Sequence, residues 1–512
     1  MGYSYPVETI GQLIARGNSG DPAIGAPGRT ALTHGALRAL AQRTIGDLNR
    51  MGIGRGDRVA IVLPNGPEMA AAFLAIGSGA TTAPLNPAYR KEEFEFYLSD
   101  LNARALVLAE GMETPARAVA EARGIAVLLL VRDEGGPAGS FTLKPEGAPG
   151  GAPQRGGMAL GRDVALVLHT SGTTSRPKIV PLNHINVTGS AFHIVKTLSL
   201  TEDDVCLNIM PLFHIHGLMA ATLASIAAGG SVACTPGFNA LKFFSWFEEA
   251  RPTWYTAVPT MHQAILSRAA RNKEVIKRGR LRFVRSSSSS LPPQVMTELE
   301  DVFGAPVIES YGMTEASHQM TSNPLPPGKR FAGSVGMAAG PEVAIMDESG
   351  QLLPPDSLGE VVIKGRDVTL GYENNPAANA TAFTAGWFRT GDQGVIDVSG
   401  YLRLTGRLKE LINRGGEKIS PLEVDTVLMD HPAVAQVVTF AMPHDKLGEE
   451  VAAAVVLREG ASASERDLRE FASARIADFK VPRKIVFLRE IPKGATGKLQ
   501  RIGLAEKLGL GA

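Results

Sequence analysis

Apolar runs alternate with amphipathic segments along the first two thirds of the chain. The run RVAIVLP at 58–64 is typical of a buried strand, and GPEMAAAFLAIGSGA at 66–80 is typical of the helix that follows it. TAPLN at 82–86, ALVLAE at 105–110 and VALVLHT at 164–170 continue the rhythm. This alternation predicts an α/β fold with parallel sheets whose faces are covered by helices.

The pattern changes near residue 330, where the apolar runs become shorter and the turns between them contain glycine. VAIMDESGQLLP, GEVVIKG and GVIDVSGYLRLTGR predict a β-rich subdomain. Beyond residue 410, two further strand-like runs flank an amphipathic helix, SERDLREFASARI. We therefore predict a large N-terminal domain, 1–408, and a small α/β C-terminal domain, 409–512, that suits a lid rather than a tail.

Length and composition limit the class of protein. A chain of 512 residues is too long for a single core, and 44% hydrophobic with 20% charged residues is ordinary for a globular protein. The net charge is +1, from 52 basic and 51 acidic residues, so no overall field recruits nucleic acid or an anionic membrane. The chain has only two cysteines and no recognisable signal peptide, which predicts a cytoplasmic protein.

The segment TSGTTSRPK at 170–178 follows a predicted strand and ends in a lysine. It lacks the GxxxxGK[ST] pattern of the common nucleotide loop. Backbone N–H groups, four hydroxyls and the Lys178 ammonium nevertheless form a combination that can solvate a polyphosphate. The alternative is an ordinary Ser/Thr surface turn.

Two further segments suggest a pocket wall. In MPLFHIHG, His214 and His216 face the same way if the backbone is extended, although two histidines satisfied by the protein remain an alternative. The run RSSSSSL at 285–291 directly follows the apolar LRFV. A loop at the end of a strand, lined with hydroxyls, fits a ligand site better than a five-residue linker does.

The remaining candidates carry rings, carboxylates and cations. In YGMTE at 311–315, Tyr311 offers a stacking face, Gly312 permits close backbone approach and Glu315 offers a hard oxygen ligand for Mg²⁺. WFRTGD places Asp392 just past a glycine turn, where a carboxylate suits ribose hydroxyls. TGRLKELINRGGEKISP and PKGATGKLQR add cations and glycines near the C-terminus, although such charged residues are commonly a solvated face.

Taken in order, these six motifs resemble those of the acyl-adenylate-forming superfamily, which includes acyl-CoA synthetases, adenylation domains of peptide synthetases and luciferases. The resemblance spans nearly the whole chain. The phosphate loop departs from the usual pattern at Ser175 and Ile179, where glycines are common.

The resemblance implies two half-reactions. A carboxylate attacks the α-phosphate of Mg·ATP to give an acyl-adenylate and pyrophosphate, and a thiol, usually that of coenzyme A, then displaces AMP. It assigns contacts with ATP or AMP to Thr170, Ser171, Gly172, Thr173, Thr174, Lys178, Ser288, Ser289, Ser290, Glu309, Ser310, Tyr311, Gly312, Met313, Thr314, Asp392 and Arg407.

The resemblance also assigns catalytic roles. Thr174 and Glu315 match the positions that hold Mg²⁺, and Lys498 matches the lysine that steadies the carboxylate and α-phosphate oxygens. The C-terminal domain is implied to rotate about Lys409 between the half-reactions. That rotation withdraws Lys498 and brings the 413–418 loop towards the thiol, with Gly415, Gly416 and Lys418 as candidates for binding coenzyme A.

Four segments, at 83–100, 253–263, 283–291 and 314–326, resemble the oxalate–CoA ligase branch most closely, and Ser175 is typical of it. A very small dianion needs donors at its far carboxylate, for which His214, Ser288, Ser289 and His318 are candidates. If those histidines are charged, the affinity for oxalate rises as the pH falls.

Other activities remain open from the sequence. They are a 4-coumarate-like or medium-chain fatty acid–CoA ligase, an adenylation domain that loads a carrier protein, a luciferase-like oxygenase and a non-catalytic AMP-binding protein. We predict a small carboxylic acid as the substrate and no nucleic acid or membrane partner. Both a monomer and a homodimer are compatible with the sequence.

Overall fold

The computed structural model describes residues 7–146, 150–170, 177–494 and 498–511. Within these ranges the strands form four sheets. The first contains seven of the described strands and is parallel except at its two edges; in spatial order they are Phe141–Glu146, Ala126–Arg132, Ala105–Ala109, Arg58–Val62, Thr81–Pro84, Val164–His169 and Ile179–Asn183.

The second sheet contains nine strands of the described chain and has a parallel centre with antiparallel edges. In spatial order its strands are Met337–Ala338, His318–Ser322, Val307–Met313, Phe283–Ser286, Trp254–Ala257, Val205–Asn208, Ser231–Cys234, Pro22–Ala26 and Arg29–Thr33.

Central strands of both sheets are buried on both faces, which explains their continuous apolar runs. The helix predicted after the strand Arg58–Val62 spans Pro67–Gly77 and begins after Gly66, whose φ is +150°. Its residues from Met69 to Ile76 are at most 3% exposed, because it packs between the two sheets. The predicted α/β fold with two helix-covered sheets is confirmed.

Helices cover the other sheet faces. The α-helices in the described part of the chain are Ile10–Ile14, His34–Arg50, Pro67–Gly77, Lys91–Leu101, Pro115–Ala122, His184–Thr197, Ala224–Ala227, Phe243–Ala250, Pro259–Ala269, Lys273–Lys277, Pro293–Phe303, Pro376–Ala382, Pro421–Met429, Glu465–Ser473 and Leu504–Lys507. A π-helix spans His216–Leu223, and 3₁₀ turns span Thr314–Ala316, Leu408–Glu410 and Asp478–Lys480.

The predicted β-rich subdomain is the third sheet, which has five strands among the residues described. They are Glu342–Met346, Leu358–Lys364, Trp387–Ile396, Phe383–Thr384 and Leu402–Arg407. The sequence predicts Asp392 just past a glycine turn, and this is wrong: Asp392 lies inside the long strand Trp387–Ile396, because Gly391, with φ +74°, only bulges the strand.

A fourth sheet follows after the four linking residues 408–411. Its five described strands are Glu417–Ile419, Ile412–Arg414, Gly448–Leu457, Val434–His444 and Lys484–Phe487. The helices Pro421–Met429 and Glu465–Ser473 pack on it and enclose a separate apolar core. Lys409 lies in the linker, and a domain boundary at that residue stays a prediction.

The site is positioned by the second sheet. Its parallel strands Val205–Asn208, Trp254–Ala257, Phe283–Ser286 and Val307–Met313 run in the same direction, so their carboxyl ends meet at one edge. Ligands of open α/β sheets characteristically bind at such an edge. The C-terminal domain lies over it, since residues of that domain line the same cavity.

Candidate active site

A cavity of about 390 Å³ lies between the carboxyl edge of the second sheet and the C-terminal domain. Residues from several predicted motifs line it together. They are Ser288, Ser289, Ser290, Glu309, Ser310, Tyr311, Gly312, Asp392, Arg407 and Lys498. Ser288 and Lys498 are 210 residues apart in the sequence. The fold therefore brings distant motifs to one cavity.

The serine run forms the loop after the strand Phe283–Ser286 and is tied to the neighbouring strand. Ser287 Oγ donates to the Ser310 carbonyl at 3.1 Å, and the Leu291 N–H donates to Glu309 Oε1 at 2.9 Å. Burial raises the pKa of Glu309 to about 8, against the opposing effect of the Leu291 N–H. Glu309 therefore positions the loop as a largely neutral acid at pH 7.

The serines of this loop differ in their surroundings. Ser288 has φ +75° and its Oγ is 3.0 Å from His216 Nδ1. Ser289 and Ser290 are exposed, and Ser289 Oγ donates to the Ser288 carbonyl at 2.8 Å. Ser288 thus faces the interior of the protein, whereas Ser289 lies at the exposed side of the cavity.

Tyr311, Asp392 and Arg407 form one hydrogen-bonded group. The Tyr311 hydroxyl donates to Asp392 Oδ2 at 2.5 Å, and Arg407 Nε donates to Oδ1 at 2.8 Å. Asp392 and Arg407 are directly opposite each other on paired strands. The Asp392 carboxylate is therefore held rigidly, with further lone pairs left to accept hydroxyl donors.

Gly312 permits a close approach within the protein itself. A Cβ at this position would lie 1.7 Å from the His318 carbonyl oxygen on the antiparallel neighbour strand. Met313 ends the same strand and Thr314 begins the 3₁₀ turn, and both are half-buried. Neither of these two residues is among those that line the cavity.

Lys178, Tyr372 and Glu315 form a second group beside the phosphate loop. Lys178 Nζ lies 4.0 Å from the centroid of the Tyr372 ring, and the Tyr372 hydroxyl donates to Glu315 Oε1 at 2.7 Å. Burial lowers the pKa of Lys178, and burial raises that of Glu315. Thr170 and Lys178 pair through two hydrogen bonds of 3.0 and 3.3 Å, which fixes the base of the loop.

The remainder of the phosphate loop lies outside the described residues. This applies to the predicted contacts Ser171, Gly172, Thr173 and Thr174 and to the departure at Ser175. Ile179, the second departure, is buried at the start of the strand Ile179–Asn183. An isoleucine there is compatible with a strand that begins directly after Lys178.

Lys498 lies in the cavity although it comes from the C-terminal domain. The Gly494 N–H donates to its carbonyl at 2.8 Å, so the two ends of the glycine-containing tip are paired. Burial, followed by the charge of Arg407, lowers the pKa of Lys498 to about 8, while Asp392, Glu315 and Glu410 oppose that shift. The Lys498 ammonium therefore interacts electrostatically with Asp392 and Arg407 of the first hydrogen-bonded group and with Glu315 of the second.

The histidines differ from the sequence-based picture in two ways. His216 is the first residue of a π-helix and His214 is in the turn before it, so the segment is not extended. Burial, with a smaller contribution from Lys498, lowers the pKa of His214 to about 3, and burial lowers those of His216 and His318 well below the usual range. These shifts favour neutral histidines in the free enzyme, and the condition for an affinity that rises as the pH falls is then not met.

His318, rather than His214, is the close neighbour of His216. Their ring centroids are 5.1 Å apart, and His216 Nε2 lies 2.6 Å from Thr256 Oγ1. His318 is 2% exposed, has φ +108°, and its Nδ1 has no partner among the residues described. Strained backbone at a buried polar side chain is characteristic of functional sites.

The predicted coenzyme A segment is not brought to this cavity. Gly415 and Gly416 form the turn of an exposed hairpin, with φ of +60° and +98°. Lys418 is exposed, and its Nζ lies 3.9 Å from Glu348 Oε1.

Sequence reasoning missed three residues near the site, namely Thr256, Arg285 and Tyr372. Arg285 had a detectable signal, since it is the one charged residue in the otherwise apolar and hydroxylic run FVRS of a buried strand. Tyr372 follows Gly371, whose φ of +138° turns the chain towards Glu315. Thr256 had no signal of its own.

Among the described residues, no helix is long and apolar enough to cross a bilayer, and no group of three or more His, Cys, Asp or Glu side chains forms a metal site. The Glu315 carboxylate offers a hard oxygen of the kind that magnesium prefers.

Comparison with known proteins identifies the family. The model of AMP-binding enzymes matches residues 13–373, and that of the AMP-binding enzyme C-terminal domain matches residues 423–498. An oxalate–CoA ligase of Arabidopsis thaliana is 46% identical over 485 residues, covering 94% of each chain. An oxalate–CoA ligase of Saccharomyces cerevisiae is 43% identical over 479 residues, covering 88% of this chain and 87% of the other.

The solved structures include MatB from Rhodopseudomonas palustris, which is 30% identical. The ATP-bound form has a TM-score of 0.86 and covers 97% of this chain and 98% of MatB, whereas the apo form has a TM-score of 0.77 with 98% of each covered. The overall arrangement here is thus more similar to the ATP-bound form. From the two matched models and these relatives together, the chain belongs to the family of AMP-binding enzymes and carries that family's C-terminal domain.

Proposed function

We propose that this enzyme is an AMP-forming acid–CoA ligase that converts oxalate, ATP and coenzyme A to oxalyl-CoA, AMP and pyrophosphate. The observation that carries the proposal is the position of Lys498, whose side chain shares one cavity with Asp392, Arg407 and the serine loop. The similarity to two oxalate–CoA ligases supports the choice of acid.

In the first half-reaction, a carboxylate oxygen of oxalate attacks the α-phosphorus of ATP and pyrophosphate leaves. Two anions approach each other, so a fixed cation between them lowers the barrier. With a pKa of about 8, Lys498 is mainly protonated at pH 7 and can hold oxygens of both reactants. Oxalyl-adenylate is the product of this step.

The nucleotide has a separate set of contacts. Asp392, fixed by Tyr311 and Arg407, is positioned to accept ribose hydroxyl donors, and the serine loop with Gly312 borders the adenine side. The phosphates are assigned to Thr170, Ser171, Gly172, Thr173, Thr174 and Lys178. The Lys178 ammonium supplies a local charge at the base of that loop.

Mg²⁺ is assigned to Glu315 and Thr174. The Glu315 carboxylate fits such a role, because Tyr372 orients one oxygen and hard anionic oxygens are the ligands that Mg²⁺ prefers. The ion, when bound, neutralises phosphate charge.

In the second half-reaction, the thiol of coenzyme A attacks the oxalyl carbonyl and AMP leaves. We assign this step to a second position of the C-terminal domain, reached by rotation about Lys409. It requires Lys498 to leave the cavity and the exposed hairpin with Gly415, Gly416 and Lys418 to approach it.

The interior wall of the site favours a small polar acid. Ser288 lines the cavity there, and the buried polar side chains of His216, Thr256 and His318 lie next to it in the protein interior. A medium-chain or aromatic acid needs an apolar pocket at that position, because burying methylene groups against unpaired donors is unfavourable.

Both cysteines, Cys206 and Cys234, are buried free thiols. This supports assignment to a reducing compartment, for which we propose the cytoplasm. Monomer and homodimer remain equally open predictions.

A panel of acids tests the function. Oxalate, acetate, hexanoate and 4-coumarate are each incubated with ATP, Mg²⁺ and coenzyme A, with AMP release and thioester mass as readouts. We expect oxalyl-CoA as the main product. If hexanoate or 4-coumarate gives a thioester and oxalate does not, the proposed acid is wrong.

The role of Lys498 is tested by separating the half-reactions. Lys498→Ala is expected to lose at least about 100-fold in oxalate-dependent pyrophosphate formation, in line with the loss of one preorganised charge. It should retain thioester formation from supplied oxalyl-adenylate. Lys493→Ala, which removes an exposed lysine paired with Glu490, is the matched control. Equal loss of both half-reactions in Lys498→Ala would contradict the assignment.

A further inference from the structure

Arg285 is a fully buried cation whose hydrogen-bonding capacity is mostly unused. It lies in the strand Phe283–Ser286, with 0% of its surface exposed. Nη2 donates to Gln319 Oε1 at 3.2 Å, whereas Nε and Nη1 have no partner within the described residues. Arginine normally presents five donors, so this guanidinium has considerable capacity left.

The charge of Arg285 is also uncompensated in the part of the chain described. Gln319 is neutral, and the ion pairs found among these residues do not include Arg285. Burial lowers the pKa of Arg285 to about 9, which still leaves it charged at pH 7. An isolated buried charge is strongly destabilising, and an anionic ligand would supply the missing counterion.

Arg285 lies behind the two buried histidines of the site. Its charge contributes, after burial, to lowering the pKa of both His216 and His318. It is directly opposite Thr256 on the adjacent strand, and Thr256 Oγ1 is 2.6 Å from His216 Nε2. Arg285, Thr256, His216 and Ser288 are therefore successive neighbours, and Ser288 lines the cavity.

Backbone strain at this wall is an independent observation. Ser288, with φ +75°, and His318, with φ +108°, are non-glycine residues in the left-handed region. Such conformations are unfavourable and persist where the surroundings require them. One of the two strained residues is His318 itself, and the other, Ser288, is hydrogen-bonded to His216.

We propose that Arg285 is the specificity-determining cation for the second carboxylate of a dianionic substrate, with His318, whose Nδ1 has no partner among the described residues, as a neutral donor beside it. This inference rests on the proposed oxalate chemistry and names its source of selectivity. A monocarboxylic acid of similar size leaves the guanidinium without a counterion. Discrimination therefore comes from the unpaired charge as well as from size.

The test compares oxalate with acetate in wild type, Arg285→Met and Arg285→Lys, with kcat/KM from AMP release. For Arg285→Met we expect the ratio of oxalate to acetate to fall by about 100-fold or more, as is typical when one partner of a buried charge pair is removed. The acetate value should stay within about threefold of wild type. Arg285→Lys should recover part of the ratio, because it keeps the charge.

Thermal unfolding separates this role from a structural one. Removal of an unpaired buried cation should leave the Tm of Arg285→Met equal to or above that of wild type. Arg282→Met is the matched control, because this nearby arginine pairs with Asp204. We expect Arg282→Met to lower Tm and to leave the oxalate-to-acetate ratio unchanged.

The oxalate KM between pH 6 and 7.5 is a third readout. Since Arg285 supplies the charge and the histidines are neutral, we expect a flat profile. A KM that falls about tenfold per unit of decreasing pH would assign the charge to a histidine and overturn the proposal.

The outcomes distinguish the two levels of the argument. If wild type uses oxalate and Arg285→Met retains the ratio, Arg285 is not the determinant and the proposed function stands. If wild type rejects oxalate but uses malonate or another dianion in an Arg285-dependent manner, the proposed acid is wrong and the inference stands. Use of monocarboxylic acids alone overturns both.

Discussion

At the scale of single residues, Lys498 combines partial burial with charged neighbours of both signs. Arg407 lowers its pKa, whereas Asp392, Glu315 and Glu410 raise it, and burial, the largest cause, brings it to about 8. A lysine with this pKa is charged at neutral pH but loses its proton within an accessible range. Its protonation can therefore be followed kinetically.

We predict that kcat/KM for ATP in the adenylation half-reaction falls above pH 8. The protonated form is needed to hold the two anions, and kcat/KM reports on groups of the free enzyme. The loss should approach about tenfold per pH unit once the pH exceeds the pKa. Pyrophosphate formation between pH 6.5 and 9.5 at subsaturating ATP measures it.

Lys498→Arg provides the control, since a guanidinium stays protonated throughout this range. Its rate is expected to be lower than that of wild type but flat up to pH 9.5. If the variant shows the same decline above pH 8, another group is responsible for it.

Residues of the motifs were easier to predict than their neighbours. Tyr311, Asp392, Arg407 and Lys498 were selected from the chain because glycine-rich or charged motifs surround them, and they share one cavity. The neutral state of His318 was not predictable, because burial by distant strands lowers its pKa. Arg285 was not predicted, because a single charged residue in a short strand is uninformative until the structure shows that it is buried without a counterion among the described residues.

At the scale of elements, a buried acid connects the serine loop to the next strand. Glu309 is 2% exposed, accepts the Leu291 N–H through Oε1, and its Oε2 has no partner among the described residues. Burial raises its pKa from 4.5 to about 8, so the folded protein binds more protons than the unfolded chain between these values. Stability contributed by this group is fully present below about pH 4.5 and is lost as the pH rises towards 8.

We predict that Glu309→Gln unfolds at the same temperature as wild type at pH 5 and several degrees higher at pH 8.5. Glutamine keeps an acceptor for Leu291 but never acquires the buried charge. The expected limit is about 1.4 kcal/mol per pH unit in the free energy of unfolding. Thermal unfolding at the two pH values measures the difference.

Glu300→Gln is the comparison for this prediction. Glu300 also accepts a backbone N–H, from Val307 at 2.8 Å, but it pairs with Arg330 at 2.9 Å. Its substitution should lower the unfolding temperature at pH 8.5. A lower unfolding temperature for Glu309→Gln at pH 8.5 would show that its carboxylate is stabilising there.

The strand pair that carries Gly312 and His318 has no room for a side chain at the glycine. A Cβ would be 1.7 Å from the His318 carbonyl oxygen, which belongs to rigid backbone. We predict that Gly312→Ala lowers stability by about 1–3 kcal/mol, the usual range for overpacking, and lowers adenylation more than 10-fold by displacing His318 and Tyr311. Gly20→Ala, where nothing lies within 4 Å of the new Cβ, should change neither.

Elements with a strong repeating pattern were predicted well, and irregular ones were not. The helix Pro67–Gly77 and its preceding strand were evident because burial on all sides requires continuous apolar residues. The π-helix beginning at His216 was not evident, since the alternation in FHIH is equally compatible with an extended segment. Asp392 lies within a strand because the glycine before it forms a bulge and does not end the strand. The strands paired on either side determine this, and they are distant in the sequence.

At the scale of the whole molecule, side-chain contacts hold the C-terminal domain over the cavity. Gln263 Nε2 donates to the Ala435 carbonyl at 3.1 Å, Gln436 Nε2 donates to Gln263 Oε1 at 3.3 Å, and Gln294 donates to Asp430. These three contacts are polar, which is compatible with the opening that the proposed rotation requires. Lys418 lies outside the cavity in this arrangement.

If the proposed rotation is required, fixing this arrangement should block only the second half-reaction. Asp430 is exposed, Gln294 is half-buried and the two are in contact, so cysteines at both positions can be joined by a short bis-methanethiosulfonate reagent. The native Cys206 and Cys234 are buried and do not compete. We predict that the joined double variant retains oxalate-dependent pyrophosphate formation within about threefold and loses thioester formation by at least about 100-fold, because a domain rearrangement is then prevented.

Each single cysteine variant treated with the same reagent should keep both activities, which excludes an effect of the modification itself. Reduction of the joined protein should restore thioester formation, because it releases the domain without changing the sequence. Loss of pyrophosphate formation on joining would mean that adenylation itself needs movement. Full thioester formation in the joined protein would contradict rotation about Lys409, since Lys498 would then remain in the cavity while coenzyme A reacts.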